Sequence, residues 1–323
     1  MKKEEAEEII ACLSKERTIF HYYKDRYAFL LLSYIVGSGR SIQSLKKSPY
    51  SSLLDKPAVR DILKQCGHGY LDQETLKLAW HSQTEPFLLT VDIWGDGNRT
   101  WDQTTRGDCN IVLQLNFSNK HDSIYRNLVK PKHTSNFNYT GHPILLEGDR
   151  AFFRETLSWA RIDLDFKNNE ALIEEVQSDW VRKTASLQNR ITRLLKRNVD
   201  VQSIAPRWGV EGRLEDVQLY LTEVIQPYTK MWAEATLAAA ISFISEELGI
   251  ETIYYHSFET GCRAKNIRYD LPPRSLYTNL PKKFCFLETA KTPEFIANNK
   301  TFKRSTKKLK QPKWFQLQLK EAC

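Results

Sequence analysis

The sequence predicts an α/β (α+β) fold, in which a mixed, largely antiparallel sheet is covered by helices. Three observations predict this class. Apolar residues recur at helical spacing in the first 82 residues, strand-like alternation occupies residues 87–94, 110–117 and 157–166, and a buried strand then runs directly into a long helix. Because neither G-x-G-x-x-G nor G-x-x-x-x-G-K-[ST] occurs, we expect no Rossmann dinucleotide site and no P-loop.

Three regions are predicted along the chain. Residues 1–82 form a helical N-terminal subdomain, since residues such as Ile9 and Leu13 share a helical face. Residues 83–299 form a mixed α/β catalytic domain. Residues 300–323 form a basic C-terminal tail, which is compatible with a last strand near its end.

Within the catalytic domain, the strand at 157–166 and the segment Ala171–Val176 are separated by the polar turn 167–170. A turn this tight makes the two segments antiparallel neighbours. The helix Trp180–Arg197 follows almost without a loop. A long polar segment, residues 130–148, is typical of a functional or mobile loop.

Charge favours a polyanionic partner. The 323 residues carry 47 Lys and Arg against 39 Asp and Glu, a net charge of +8. The predicted basic tail is a solvated connection or an arm that contacts phosphates; we expect nucleic acid, DNA in the first place, as partner. The candidate nucleic-acid-binding residues are Lys303, Arg304, Lys307, Lys308 and Lys310.

Composition also bears on the compartment. The six cysteines show no C-x-x-C spacing, and no apolar run is long enough to span a membrane, so a cytoplasmic protein without a membrane partner is expected. The histidines show no metal-ligand spacing. We expect neither a metal nor a cofactor.

The most informative stretch is Ala171–Trp180, an apolar strand that leads straight into polar residues. Side chains and helix N–H groups converge at such strand ends, which is where α/β sheets commonly hold ligands. Strand alternation puts Glu175 and Gln177 on one face, with Asp179 beside them if the strand persists, and Glu174 on the opposite face. A raised carboxylate pKa would suit acid/base work. Glu175, Gln177 and Asp179 are therefore the candidate catalytic residues.

Other residues near this stretch are candidates for substrate binding, each with a structural alternative. Tryptophan rings would stack on a flat substrate or anchor the core. Arg161 would hold a phosphate or pair with a glutamate, and Ser178 or Asp179 would cap the following helix. His256 would be an acid/base, a phosphate contact or a plain core residue. The candidate substrate-binding residues are Trp159, Arg161, Ser178, Trp180, His256 and Arg263.

The segment Ile173-Glu-Glu-Val-Gln-Ser-Asp-Trp180 resembles the "EEIQSDW" signature of a domain in large polyvalent proteins of phages and conjugative elements. Trp159-Ala-Arg-Ile162, Trp232-Ala-Glu-Ala235 and Gly249–Ile253 are similar to its flanking segments, so the resemblance covers about residues 140–290. It departs at Val181, where the family usually has histidine. The resemblance implies a role in conflict between phages and their hosts.

The C-terminal half is also similar, more faintly, to the GNAT acyltransferases in its order of strand, helix and strand. Their acyl-CoA cradle needs a glycine-rich turn after the central strand, because backbone N–H groups must approach the pyrophosphate. The segment Gln177–Arg182 contains no glycine. This argues against the cofactor more strongly than against the fold.

The leading hypothesis is a nucleic-acid-acting enzyme in phage–host conflict, most concretely a DNA glycosylase-like hydrolase that excises a base. Such an enzyme must hold an extruded base, read its edge and stack on it. Two alternatives stay open: a GNAT-like transferase that modifies a base or a protein, and a non-enzymatic nucleic-acid-binding protein. ADP-ribosyl transfer, which also breaks an N-glycosidic bond, is a further possibility.

Overall fold

A computed structural model describes residues 1–13, 18–77, 84–95, 102–133, 136–146, 153–202 and 204–319. The mixed α/β class with a largely antiparallel sheet is confirmed. The strands are β1 (Thr18–Tyr22), β2 (Arg40–Ser41), β3 (Tyr70–Leu71), β4 (Glu85–Trp94), β5 (Asn110–Asn116), β6 (Thr156–Asp165), β7 (Glu170–Gln177), β8 (Thr252–His256), β9 (Leu287–Thr289) and β10 (Trp314–Gln318).

Helices lie between most of these strands in the described part of the chain. They are α1 (Lys3–Cys12), α2 (Arg26–Val36), α3 (Ile42–Lys46), α4 (Pro57–Leu63), α5 (Gln73–Lys77), α6 (Asn119–Val129), α7 (Asp179–Leu195), α8 (Leu214–Leu219), α9 (Gln226–Ser242), α10 (Phe258–Ala264), α11 (Asn279–Lys283), α12 (Glu294–Ala297) and α13 (Lys300–Thr306). Short π-helical turns, Tyr220–Val224 and Phe243–Glu247, follow α8 and α9. None of the described helices is both long and apolar enough to cross a membrane.

The main sheet has eight strands in the order β1-β4-β5-β6-β7-β8-β10-β9. Within it, β7 and β8 are parallel, whereas the other neighbouring pairs are antiparallel. The predicted hairpin of β6 and β7 is present, with Asn169 in the left-handed conformation at its turn (φ 54°). Asparagine tolerates this conformation better than most residues do, which suits a tight turn.

Alternate side chains of β5–β8 separate into two faces. On one face, residues such as Ile162, Ile173 and Tyr255 join the main hydrophobic core. Helix α9 packs on this face through the small side chains of Ala235 and Ala239, which allow a close approach. The opposite face, here called the polar face, carries Gln114, Trp159, Arg161, Glu175, Gln177 and His256.

The N-terminal region contributes to this sheet. Besides the helices expected over residues 1–82, this region contains the strand β1, which pairs with β4 at the sheet edge. Phe20 and Tyr22 are buried there, so the alternation of a strand overrides the helical pattern on either side. The division of the chain into subdomains stays a prediction.

The predicted basic tail is a folded part of the protein as far as residue 319. Its first residues form α13, where Asn299 caps the helix by accepting hydrogen bonds from the backbone N–H groups of Thr301 and Phe302. The expected last strand is present as β10. It lies between β8 and β9, with Trp314 fully buried.

Candidate functional site

A β-bulge lies at the centre of the polar face. Arg161 of β6 pairs with Glu175, but the next residue, Ile162, pairs with Ile173, so Glu174 is the extra residue of β7. A bulge interrupts the alternation of side chains and re-aims them. The expectation that the carboxylates of Glu174 and Glu175 point to opposite sides is therefore wrong, because both lie in one buried cluster of charged groups.

Glu175 forms ion pairs with two positively charged side chains. Its Oε2 accepts hydrogen bonds from Arg161 (Nη2, 2.7 Å) and from the Nζ of Lys265, at 3.1 Å. Lys265 also donates to the backbone oxygen of Glu174 at 2.9 Å. The Arg161 side chain is only 3% exposed, which supports the ion-pair alternative for this residue over contact with a phosphate.

Glu174 lies deeper in the same cluster. Its carboxylate accepts hydrogen bonds from the backbone N–H of Thr105 at 2.9 Å and from the Thr105 hydroxyl at 2.7 Å. The Nε2 of His256 lies 3.1 Å from Glu174 Oε2 and 2.9 Å from Thr105 Oγ1, whereas its Nδ1 is buried without a partner among the described residues. These contacts assign the proton to Nε2. The His256 ring is buried within the fold and stacks on Trp314.

The charges in this cluster balance. Burial opposes ionisation of Glu174, but the hydrogen bond from His256 and the charges of Lys265 and Arg161 lower its pKa to about 2. For Glu175, burial is again outweighed, and Arg161 and Lys265 hold the pKa well below its usual range. Burial lowers the pKa of His256, which keeps the ring neutral at pH 7. The raised carboxylate pKa that would suit acid/base work is not found at Glu175, because two cationic side chains lower its pKa.

Acid should destabilise this protein through Glu174 and Glu175. Their folded-state pKa values lie below the unfolded value of about 4.3, so their contribution is complete above that pH and is lost as pH falls towards about 2. We expect the free energy of unfolding, measured by urea titration between pH 6 and pH 3, to fall steeply. The fall should be shallower for Glu174→Gln. Equal slopes for both proteins would contradict a buried, ionised Glu174.

The polar residues after β7 have separate roles. Ser178 is the N-cap of α7: its hydroxyl accepts a hydrogen bond from the backbone N–H of Val181 at 3.1 Å and donates to Leu157 O at 2.5 Å. Asp179 is the first helical residue and is fully buried. Its Oδ2 lies 2.7 Å from the Nδ1 of His142, and its Oδ1 accepts a hydrogen bond from Arg182. Capping by Ser178 leaves the Asp179 carboxylate available for His142.

Gln177 is partly exposed at the end of β7, across from Trp159. It forms no side-chain hydrogen bond with any described residue, so its amide can still bind a ligand. Glu175 and Gln177 do share a face, as strand alternation predicted. The strand ends at Gln177 and does not persist to Asp179, which is the first residue of α7.

The two tryptophans proposed for stacking are buried. Trp180 has no exposed surface; it packs against Phe117, Tyr125 and Phe137, and its indole N–H donates to Tyr220 at 2.8 Å. This residue is a core anchor. Trp159, on the polar face, is 1% exposed and packs with Val112 and Ile144, so its ring is part of the packed structure.

A cleft of about 1000 Å³ opens beside the buried cluster, and Lys265 is part of its wall. Further cations line it: Arg263, Arg268, Arg304 and Lys308. None of these four forms an ion pair with a described residue, and the one carboxylate in the lining, Glu259, pairs with Arg274 at 3.2 Å. We call this feature the basic cleft. Its lining includes Arg263 and two residues of the predicted tail, Arg304 and Lys308. The other tail candidates are exposed but lie outside the lining: Lys303, Lys307 and Lys310.

Three residues of this region were missing from the sequence-based candidates: Thr105, His142 and Lys265. Only His142 carried a signal, since it lies in the polar segment 130–148 that was singled out for its length. Thr105 and Lys265 reach the cluster through contacts with residues 69 and 90 positions away, which no local pattern indicates.

The described residues include no group of three or more histidine, cysteine, aspartate and glutamate side chains placed to hold a metal ion.

No protein-family model matches the chain, no curated protein matches it, and no solved structure matches it.

Proposed function

We propose that the protein is an enzyme that binds nucleic acid, DNA in the first place, in the basic cleft and hydrolyses a bond of the bound strand. The basic cleft carries this proposal. Four cationic side chains that have no carboxylate partner among the described residues line one concave surface, although the chain as a whole contains nearly as many acids as bases. Clustered cations that lack internal partners are the footprint of a phosphate-binding surface.

The end of β7 supports a reaction beside this cleft. Lys265 lines the cleft and binds Glu175. Gln177 follows two residues after Glu175 on the same face, and its amide has no hydrogen-bond partner among the described side chains. An amide has both donors and an acceptor, which suits the reading of a base edge. A glycosylase-like hydrolysis, in which water replaces an extruded base at the sugar, is the most concrete form of the proposal. The resemblance to phage and mobile-element proteins favours a role in phage–host conflict within the cytoplasm.

Charge reversal in the cleft should weaken binding of DNA. For Arg304→Glu/Lys308→Glu we expect an affinity loss of about tenfold or more and a salt dependence whose slope is smaller by about 2, because two phosphate contacts are removed. Fluorescence anisotropy with a labelled oligonucleotide at several salt concentrations measures both. Lys303→Glu/Lys307→Glu is the matched control, since it changes net charge equally on the same segment outside the cleft lining. Equal losses in the two variants would contradict binding in the cleft.

The reaction is tested by its products. Phage DNA, modified and unmodified, is incubated with the protein without cofactor, and abasic sites and released bases are quantified. Abasic sites formed by the wild type but not by Arg304→Glu/Lys308→Glu support the proposal. Binding of acetyl-CoA in calorimetry without any released base would instead favour the transferase, and base release only with added NAD would favour ADP-ribosyl transfer.

A further inference from the structure

His142 and Asp179 form a histidine–carboxylate pair beside the polar face. Asp179 Oδ2 lies 2.7 Å from His142 Nδ1, the carboxylate is fully buried, and the histidine side chain is 30% exposed. Burial opposes ionisation of Asp179, but the hydrogen bond from His142 and the charges of Arg182 and Lys183 lower its pKa. An ionised carboxylate at Nδ1 keeps the proton on that nitrogen, so Nε2 is the basic nitrogen of the neutral ring.

The loop that carries His142 is held in place. Its backbone oxygen at Pro143 accepts a hydrogen bond from the Gln114 side chain at 3.3 Å, and the Nζ of Lys183 donates to the backbone oxygen of Asn138. The imidazole lies edge-to-face with the exposed ring of Tyr139 (5.0 Å between centroids) and with Trp159 (5.5 Å). These contacts fix the direction of the ring.

Gln177 lies close to this pair. It precedes Asp179 by two residues and faces Trp159 across the hairpin, and Trp159 contacts the His142 ring. The partly exposed His142 ring and the Gln177 amide therefore border the same part of the polar face. His142 Nε2 forms no hydrogen bond with any described residue. This geometry matches the rule for a general base: an accessible nitrogen whose opposite side is oriented by a buried acid.

We propose that His142 is the general base of the hydrolysis and that Asp179 is the positioning residue that orients it; this inference rests on the proposed function. In the step, Nε2 takes a proton from water, the water oxygen forms a bond to the sugar carbon C1′, and the bond from C1′ to the base nitrogen breaks. The base leaves with the bonding electron pair and receives the proton from the imidazolium. Gln177 binds the edge of the leaving base.

Chemical modification tests the pair without any substrate. At about pH 8, where free imidazoles are neutral, diethyl pyrocarbonate should acylate His142 several times faster than the exposed His133 and His68, as followed by peptide mass spectrometry. Asp179→Asn should remove this difference, because the amide no longer holds the proton on Nδ1. Equal His142 rates in the wild type and Asp179→Asn would overturn the positioning role.

Catalysis tests the same assignment separately. His142→Gln should lower kcat for base release by about 10²–10⁴-fold while the anisotropy-measured affinity for DNA stays unchanged. His133→Gln, on the same polar segment, is the matched control and should retain kcat. An unchanged kcat in His142→Gln overturns the inference and leaves the proposed function standing. A wild type that releases no base but shows the fast, Asp179-dependent acylation overturns the proposed reaction and supports the pair as an activated base.

Discussion

Lys265→Met is expected to lower the free energy of unfolding by about 3–5 kcal/mol, because removing one partner leaves a buried charge uncompensated. The side chain of Lys265 is fully buried and donates to both Glu174 and Glu175. Without it, Arg161 alone faces two buried carboxylates. Urea unfolding at pH 7 measures the effect.

A second substitution separates charge from packing. Lys265→Met/Glu175→Gln restores the balance of charges in the cluster, so we expect it to recover part of the lost stability. The matched control is Lys282→Met on α11, since this lysine is exposed and a surface change should stay within about 0.5 kcal/mol. A cost for Lys265→Met as small as that of the control would show that water reaches the cluster.

Trp180→Ala should be equally costly, at about 3–5 kcal/mol, because it removes a large side chain from a closely packed core. Trp180 has no exposed surface, its ring centroid lies 4.7 Å from that of Tyr125, and its indole N–H binds Tyr220. Thermal and urea unfolding measure the loss. Trp208→Ala, in which the lost ring is partly exposed and lies beside Arg190, should cost clearly less.

The milder Trp180→Phe distinguishes core packing from substrate stacking. The phenyl ring keeps most of the contacts but loses the hydrogen bond to Tyr220, so we expect a reduced stability with unchanged affinity for DNA below the melting temperature. Weaker DNA binding by a fully folded Trp180→Phe protein would contradict a purely structural role and would indicate that Trp180 takes part in substrate binding.

Local patterns were sufficient for much of this fold. The hairpin of β6 and β7 and the helix after it follow from strand alternation, a short polar turn and the cap at Ser178, all encoded within about 40 residues. The position of β10 between β8 and β9 could not be predicted from local patterns, because β10 pairs with residues about 60 positions earlier in the chain.

The candidate site was predicted less completely than the fold. Strand alternation placed Glu175 and Gln177 on one face and put Arg161 beside them, and the structure has all three there. The bulge at Glu174 reverses the side of one carboxylate, and Lys265 neutralises the other from a distant helix end. Because of the extra residue Glu174 and the distant cationic side chain of Lys265, the two glutamates are expected to stay ionised. They are not expected to exchange protons in a reaction.

The central place of β10 has a consequence for how the protein is made. Until residues 314–318 have left the ribosome, β8 and β9 have no common neighbour, and the β8 side of the sheet presents unpaired N–H and C=O groups. Tyr254 of β8 also lacks the ring of Trp314, which shares its buried cluster, during that interval. A nascent chain that stalls between β9 and β10 therefore exposes the unpaired edge of β8, which is prone to aggregation until β10 is made.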